Sequence, residues 1–241
     1  AQPARPPLPL RAEIGRQLRR RRTIGIFAVL TVLPLVLLLA FWLGDGGSDS
    51  GERGFVDLAQ ESGANLVIFT LFASTSFLLV VIVALFAGDT VPSEASWASL
   101  RYLLAAPVRR ERLLRQKLVV AALSSVVAFL FLPAWTLLVG GIAYGWGPYV
   151  GPTGSQIGWP ELAGRLLIIV GYLLLVMSVV GAVAFMLGVL TDAPLAAVGG
   201  AVLLMILCGV IAAGGLWLLT QAYRVAAAST VAPFEYTGMM W

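Results

Sequence analysis

The residues able to do chemistry in this 241-residue chain are few, and their types exclude most catalysis. There is no histidine, one cysteine (Cys208) and one lysine (Lys117). A phosphate-binding loop needs Gly-Lys-Ser/Thr opening a helix, whereas Lys117 stands between Gln116 and Leu118, so ATP hydrolysis by this chain is not expected. The five long apolar runs hold no Asp, Glu, Lys or His, and Arg only as Arg165 at the first position of the fourth. With no carboxylate pair and no histidine, neither proton shuttling nor metal binding is expected within the membrane. A proton- or cation-driven carrier is disfavoured on the same ground, since such carriers use an ionisable group at membrane depth. What remains is hydroxyls without bases, and a charged island whose pattern is that of a binding element.

That island is Ser93 to Lys117, SEASWASLRYLLAAPVRRERLLRQK preceded by Pro92. Ser93 is a helix N-cap and Glu94 suits the positive end of a helix dipole. Trp97, Leu100, Leu103 and Leu104 recur at helical spacing and give one apolar face, with Ser99 and Arg101 turned elsewhere, until Pro107 ends the helix. Arg109, Arg110, Arg112, Arg115 and Lys117 follow, a cluster that belongs in water beside anionic headgroups. Taken alone, these arginines also fit an ordinary loop on the positive side of a membrane.

The order Glu94, Ala98-Ser99-Leu100, Leu103-Leu104, Ala106-Pro107-Val108, Arg110 and Lys117 resembles the first cytoplasmic loop of type-2 ATP-binding-cassette (ABC) exporter permeases. Two residues depart from that pattern: Ala98 stands where the family usually has Gly, and Arg109 where it often has Ser. The resemblance implies a coupling helix that docks on a separate ATPase, with Glu94, Trp97, Leu100, Arg101, Leu104, Pro107 and Arg110 making the contact. It implies no cofactor in this chain, with ATP and Mg bound by two ABC ATPase subunits, and a second permease copy or paralogue as partner. It also implies that the first, second and fifth spans face the dimer axis, which places Thr31, Thr70, Ser74, Thr75 and Gly200 as candidates along a substrate path.

The elements that must carry this loop are read from composition. At 59% hydrophobic and 12% charged residues, the chain is far from the roughly 25% charged of a soluble domain and reads as an all-α polytopic membrane protein. Its net charge of +4 faces lipid headgroups rather than nucleic acid, because the arginines flank apolar runs. Cys208 lies in such a run and is expected to be a buried thiol. Residues 1–22 form an N-terminal tail and, over Leu10 to Arg22, either an interfacial elbow helix or a simple arginine stop. Residues 23–241 form the permease domain, with spans expected at 23–43, 64–87, 118–144, 165–190 and 195–219, the coupling loop at 88–117 and an outer segment at 220–241. Kinks are expected near Pro34 and Pro133. The hydroxyls of Thr70, Ser74, Thr75 and Ser76 serve either helix–helix hydrogen bonds or a polar stripe on a conduit. Gly171, Ser178, Gly181, Ala184 and Gly188 offer small faces for close helix contact.

Thirteen of the sixteen basic residues fall before the first span or in the island, which puts the N-terminus in the cytoplasm and fits a multi-pass protein of a bacterial cytoplasmic membrane. The family pattern has six spans, so a sixth is expected beyond Trp241. The expected function is a permease subunit exporting a hydrophobic or amphipathic substrate; a membrane anchor or sensor that recruits a cytoplasmic partner, or a passive channel, are the alternatives.

Overall fold

A computed structural model describes residues 15, 17, 19–44, 54–92 and 110–225, and it is mostly helical. Apolar runs form helices here because a bilayer offers the backbone no other hydrogen-bond partner. The elements in chain order are α1 (Arg21–Leu43), α2 (Phe55–Gln60), α3 (Gly63–Thr75), α4 (Leu78–Gly88), α5 (Arg110–Tyr144), β1 (Tyr149–Val150), β2 (Gln156–Ile157), α6 (Trp159–Leu190) and α7 (Pro194–Val225). Four of them, α1, α5, α6 and α7, are long and apolar enough to cross a membrane alone, and α3 with α4, bent by 60° at their junction, is a broken crossing or a re-entrant loop. The all-α polytopic reading therefore stands, with four to five candidate crossings among the described residues.

The second crossing differs from the single span expected at 64–87. Ser74 and Thr75 turn their hydroxyls onto the carbonyls of Thr70 and Leu71, one turn back in the same helix. Such back-bonding loosens a helix, and at Phe77 the backbone leaves helical geometry (φ −138°, ψ −54°) before α4 resumes. Neither proline breaks its helix, for α1 is continuous through Pro34 and α5 through Pro133. Trp135 supports the first of these, its indole N–H donating at 3.0 Å to the carbonyl of Thr31, three residues before Pro34.

α5 is more than twice as buried along its apolar stretch as α1, α6 or α7 (39% of residues against 17%), so it is the central post. α1 and α3 lean on it, α4 and α6 pack together, and α7 rests on α6 and α4. Leu30, Leu71, Phe86, Phe129 and Leu132 fill the core where these helices meet.

At one end of the bundle, glycines bring backbones into contact. A Cβ on Gly63 would lie 2.6 Å from the Gly141 nitrogen, so α3 and α5 touch main chain to main chain. The Gly63 N–H donates at 3.1 Å to the carbonyl of Gly145, whose φ of +86° closes α5 in the left-handed conformation that favours glycine. Asn65 completes this end by imitating a strand: its side-chain amide donates to the Val150 carbonyl at 2.8 Å and accepts from the Val150 N–H at 2.9 Å. The β1–β2 hairpin is thereby held over the start of α3. Ser62 caps that helix, accepting from the Asn65 N–H at 3.3 Å.

At the opposite end, α4 and α6 cross just as closely, a Cβ on Gly188 falling 2.6 Å from the Gly88 carbonyl oxygen. Of the small residues expected to serve helix contact, Ala184 and Gly188 are buried here and Gly181 faces Val83, whereas Ser178 is exposed and Gly171 has open space around it. Cys208 is exposed rather than buried, because Ile206 to Leu218 of α7 extend past the part of the helix that packs on the chain. Before α1, Gly15 and Gln17 are helical and Arg20 is extended (φ −67°, ψ 134°), so the chain changes direction there.

Candidate functional site: the basic end of the bundle

The segment expected to meet a partner, with Glu94, Trp97, Leu100, Arg101, Leu104 and Pro107, lies outside the described residues, and Arg110 is the first residue of α5. Its two roots are described. Thr90 stands just past α4, its hydroxyl donating at 2.8 Å to the Ala87 carbonyl. Lys117, on the third turn of α5, donates from Nζ to the Thr90 carbonyl at 3.3 Å. The lysine is only 7% exposed, so it is not the surface cation that the sequence pattern suggests. α5 begins eight residues before the apolar run, which carries Lys117 inward against the end of α4.

A second contact ties in the first span. Arg22 at the start of α1 pairs with Asp89, the residue that ends α4. Asp89 is 7% exposed while Arg22 is largely open, so the pair is a buried carboxylate reached by a surface guanidinium. Burial pushes the Asp89 carboxyl above its ordinary value, with the charges of Arg22 and Arg20 pulling the other way. Because the folded chain takes up this proton more readily than the unfolded one, Asp89 contributes less stability as pH rises from 3.8 through the raised value. Thermal melts in detergent between about pH 4 and 7 should show this decline in the parent protein and a flatter profile in Asp89→Asn. An identical slope in both would remove Asp89 as its source.

The basic end therefore binds three crossings at one level: α1 through Arg22, α4 through Asp89 and Thr90, α5 through Lys117. It can hold and transmit position. Among the described residues no group of three or more His, Cys, Asp or Glu is placed to hold a metal.

The residues expected along a substrate path lie on α1, α3 and α7. Thr31 lies half-buried on α1, its hydroxyl donating to the Phe27 carbonyl at 2.7 Å. Thr70, Ser74 and Thr75 share α3, and Gly200 sits on α7, where a Cβ would meet Leu187 at 3.3 Å. Since α1 packs on α5 and α7 on α6 and α4, the five are spread over three helices. The Ser74 and Thr75 hydroxyls donate within α3. Thr70 is different: its hydroxyl is fully buried with no hydrogen-bond partner, and the same holds for Thr136 on α5. An unpaired buried hydroxyl costs about 1–3 kcal/mol.

A model of the family described as ABC-2 family transporter protein matches residues 10–234. The chain belongs to the ABC-2 family of transporter proteins. The match runs through every crossing and both roots of the loop. Neither the comparison with curated proteins nor that with solved structures gives a match. The ABC-2 permease is thus the multi-pass membrane subunit of an ABC transporter, a component not itself catalytic, whose family works with ABC ATPase subunits. Lys117 is part of the sequence pattern that points to this family, but Asp89 and Arg22 were not singled out as site residues. The signal available for them was position, one at each border of an apolar run, and only the packing of α1 against α5 and of α4 against α5 shows that the borders meet.

Proposed function

We propose that this ABC-2 permease exports a hydrophobic or amphipathic molecule (a drug, lipid or lipopeptide) across a bacterial cytoplasmic membrane, driven by ATP hydrolysis on two separate ATPase subunits. In this reading the basic end faces the cytoplasm, the permease works with a second copy or a paralogue, and Glu94, Trp97, Leu100, Arg101, Leu104, Pro107 and Arg110 form the coupling contact. The observation that carries it is the tethering of both roots of segment 93–109: force applied there reaches α4 and α5 through Thr90 and Lys117, and α1 through Asp89 and Arg22. ATP, with Mg, would act by favouring one of two arrangements of the permease, the tethered loop passing on the bias. The charge-free interior of the crossings suits an apolar cargo better than sugars or ions.

The test is hydrolysis by the reconstituted permease–ATPase complex with the double variant Glu94→Ala/Arg101→Ala. Losing two charged contacts is expected to cost about 2–4 kcal/mol at the docking surface and to lower ATPase recruitment to permease-containing vesicles at least tenfold. Hydrolysis and export should fall together. Unchanged recruitment and hydrolysis would overturn the coupling assignment in favour of a membrane anchor or sensor, and solute leak through vesicles holding the permease alone would favour a channel.

A further inference from the structure

A cavity of about 340 Å³ opens between α4, α5 and α6, within the roughly 300–1,000 Å³ typical of small-molecule sites. Val83 and Ala87 form its floor, Ala121 and Ala122 one wall, Gly181 and Ala182 the other. We propose that this groove holds one acyl chain of an anionic phospholipid whose headgroup rests at the basic end.

The shape of the space follows from how α6 is held. Near its end α6 is drawn onto α4, where Gly188 meets the Gly88 main chain and Gly181 approaches Val83. Leaning toward α4, it leaves an opening toward α5, where the small residues Ala121, Ala122, Gly181 and Ala182 sit among the larger Leu118, Val126, Leu174 and Met177. The result is a wedge, not a packed seam.

Its chemistry is that of a hydrocarbon chain. The two hydroxyls on the lining are turned back into their own helices, Ser125 donating to the Ala121 carbonyl at 3.0 Å and Ser178 to the Leu175 carbonyl at 2.6 Å. No charged side chain lines the groove, and an apolar space without hydrogen-bond partners does not hold water. Ala122, Ser178 and Ala182 are exposed, so the groove opens sideways, where a lipid can insert a chain without leaving its leaflet.

Charge decides which lipid. The groove starts at Leu118, one helical turn beyond the exposed Arg115 on α5, and its floor ends at Ala87, two residues before the Asp89 that Arg22 reaches from α1. An anionic headgroup there meets positive charge while its chain fills the wedge. None of the candidate path residues lines this groove, so the proposal holds for a resident lipid whether or not the export reading is right.

The experiment is native mass spectrometry of the delipidated, detergent-purified protein titrated with phosphatidylglycerol or phosphatidylcholine of equal chain length. The parent protein should retain one phosphatidylglycerol at least tenfold more tightly than phosphatidylcholine, a preference that shrinks as salt rises. Ala122→Phe and Ala182→Phe fill the groove from opposite walls at exposed positions, and each should weaken phosphatidylglycerol retention about tenfold while leaving the melting temperature and elution volume unchanged. Retention unaffected in both folded variants would overturn the site, and equal retention of the two lipids would overturn its selectivity for anions. Displacement of phosphatidylglycerol by a neutral apolar dye at equal concentration would overturn the resident-lipid assignment in favour of cargo.

Discussion

Alanine in place of Gly63 is expected to lower the melting temperature of the detergent-purified permease by on the order of 5–10 °C, the effect of about 2–3 kcal/mol of overpacking. The added Cβ would sit 2.6 Å from the Gly141 nitrogen and 2.8 Å from the Gly140 carbonyl carbon, and main chain cannot swing aside as a side chain can. Moving α3 away from α5 would also disturb the Gly63 bond to Gly145 and the grip of Asn65 on Val150. Gly188→Ala acts the same way at the other end, 2.6 Å from the Gly88 carbonyl oxygen. The two sites share no partner, so their costs should add, reaching about 4–6 kcal/mol in the double variant. That is a large part of the 5–15 kcal/mol that typically holds a domain together. Gly199→Ala is the control, for its Cβ would meet nothing within 4 Å, and alanine is favoured over glycine in a helix interior by about 0.5–1 kcal/mol. Melting followed by loss of the monodisperse peak checks all three. A Gly63→Ala protein that melts with the parent would show that α3 and α5 do not meet main chain to main chain.

Four of the five crossings were legible in the sequence because hydrophobic length is a bilayer's main demand, and the fifth run forms the bent pair α3–α4. The breaks were not. Pro34 and Pro133 are the residues that normally interrupt a helix, yet both remain inside continuous ones. The interruption falls instead at Ser76–Phe77, after two hydroxyls that compete for backbone carbonyls, a local effect that hydropathy does not register. The loop roots were half legible. Arg109 to Lys117 read as one solvated cluster, but the helix starting at Arg110 turns Lys117 inward and leaves Arg115 exposed, a distinction set by helical phase and by the neighbour α4. Cys208 was misread for a related reason: an apolar run predicts membrane, and membrane depth is not burial within one chain.

Replacing Lys117 with methionine should separate coupling from stability. Methionine keeps much of the unbranched apolar stem but loses the ammonium, and with it the bond to the Thr90 carbonyl. A buried charge is a weak source of stability, because desolvation offsets much of what its contacts return, so the melting temperature should change little or even rise. Positioning is another matter. Without the clasp, the end of α4 is tied to the third turn of α5 by packing alone, and a push on segment 93–109 is shared less directly between the two crossings. A charge-assisted hydrogen bond contributes about 1.5–3 kcal/mol, so the bias that the ATPase places on the permease should weaken by about 10- to 100-fold. In vesicles carrying the permease–ATPase complex, ATPase recruitment should persist, because the proposed docking residues are untouched, while cargo moved per ATP hydrolysed falls. Lys117→Arg, which keeps the charge in a bulkier head, should restore that ratio only in part. A purely structural lysine would give the reverse pattern, a lower melting temperature with an unchanged ratio, and a Lys117→Met complex that transports as many molecules per ATP as the parent would mean that force enters the bundle by another route.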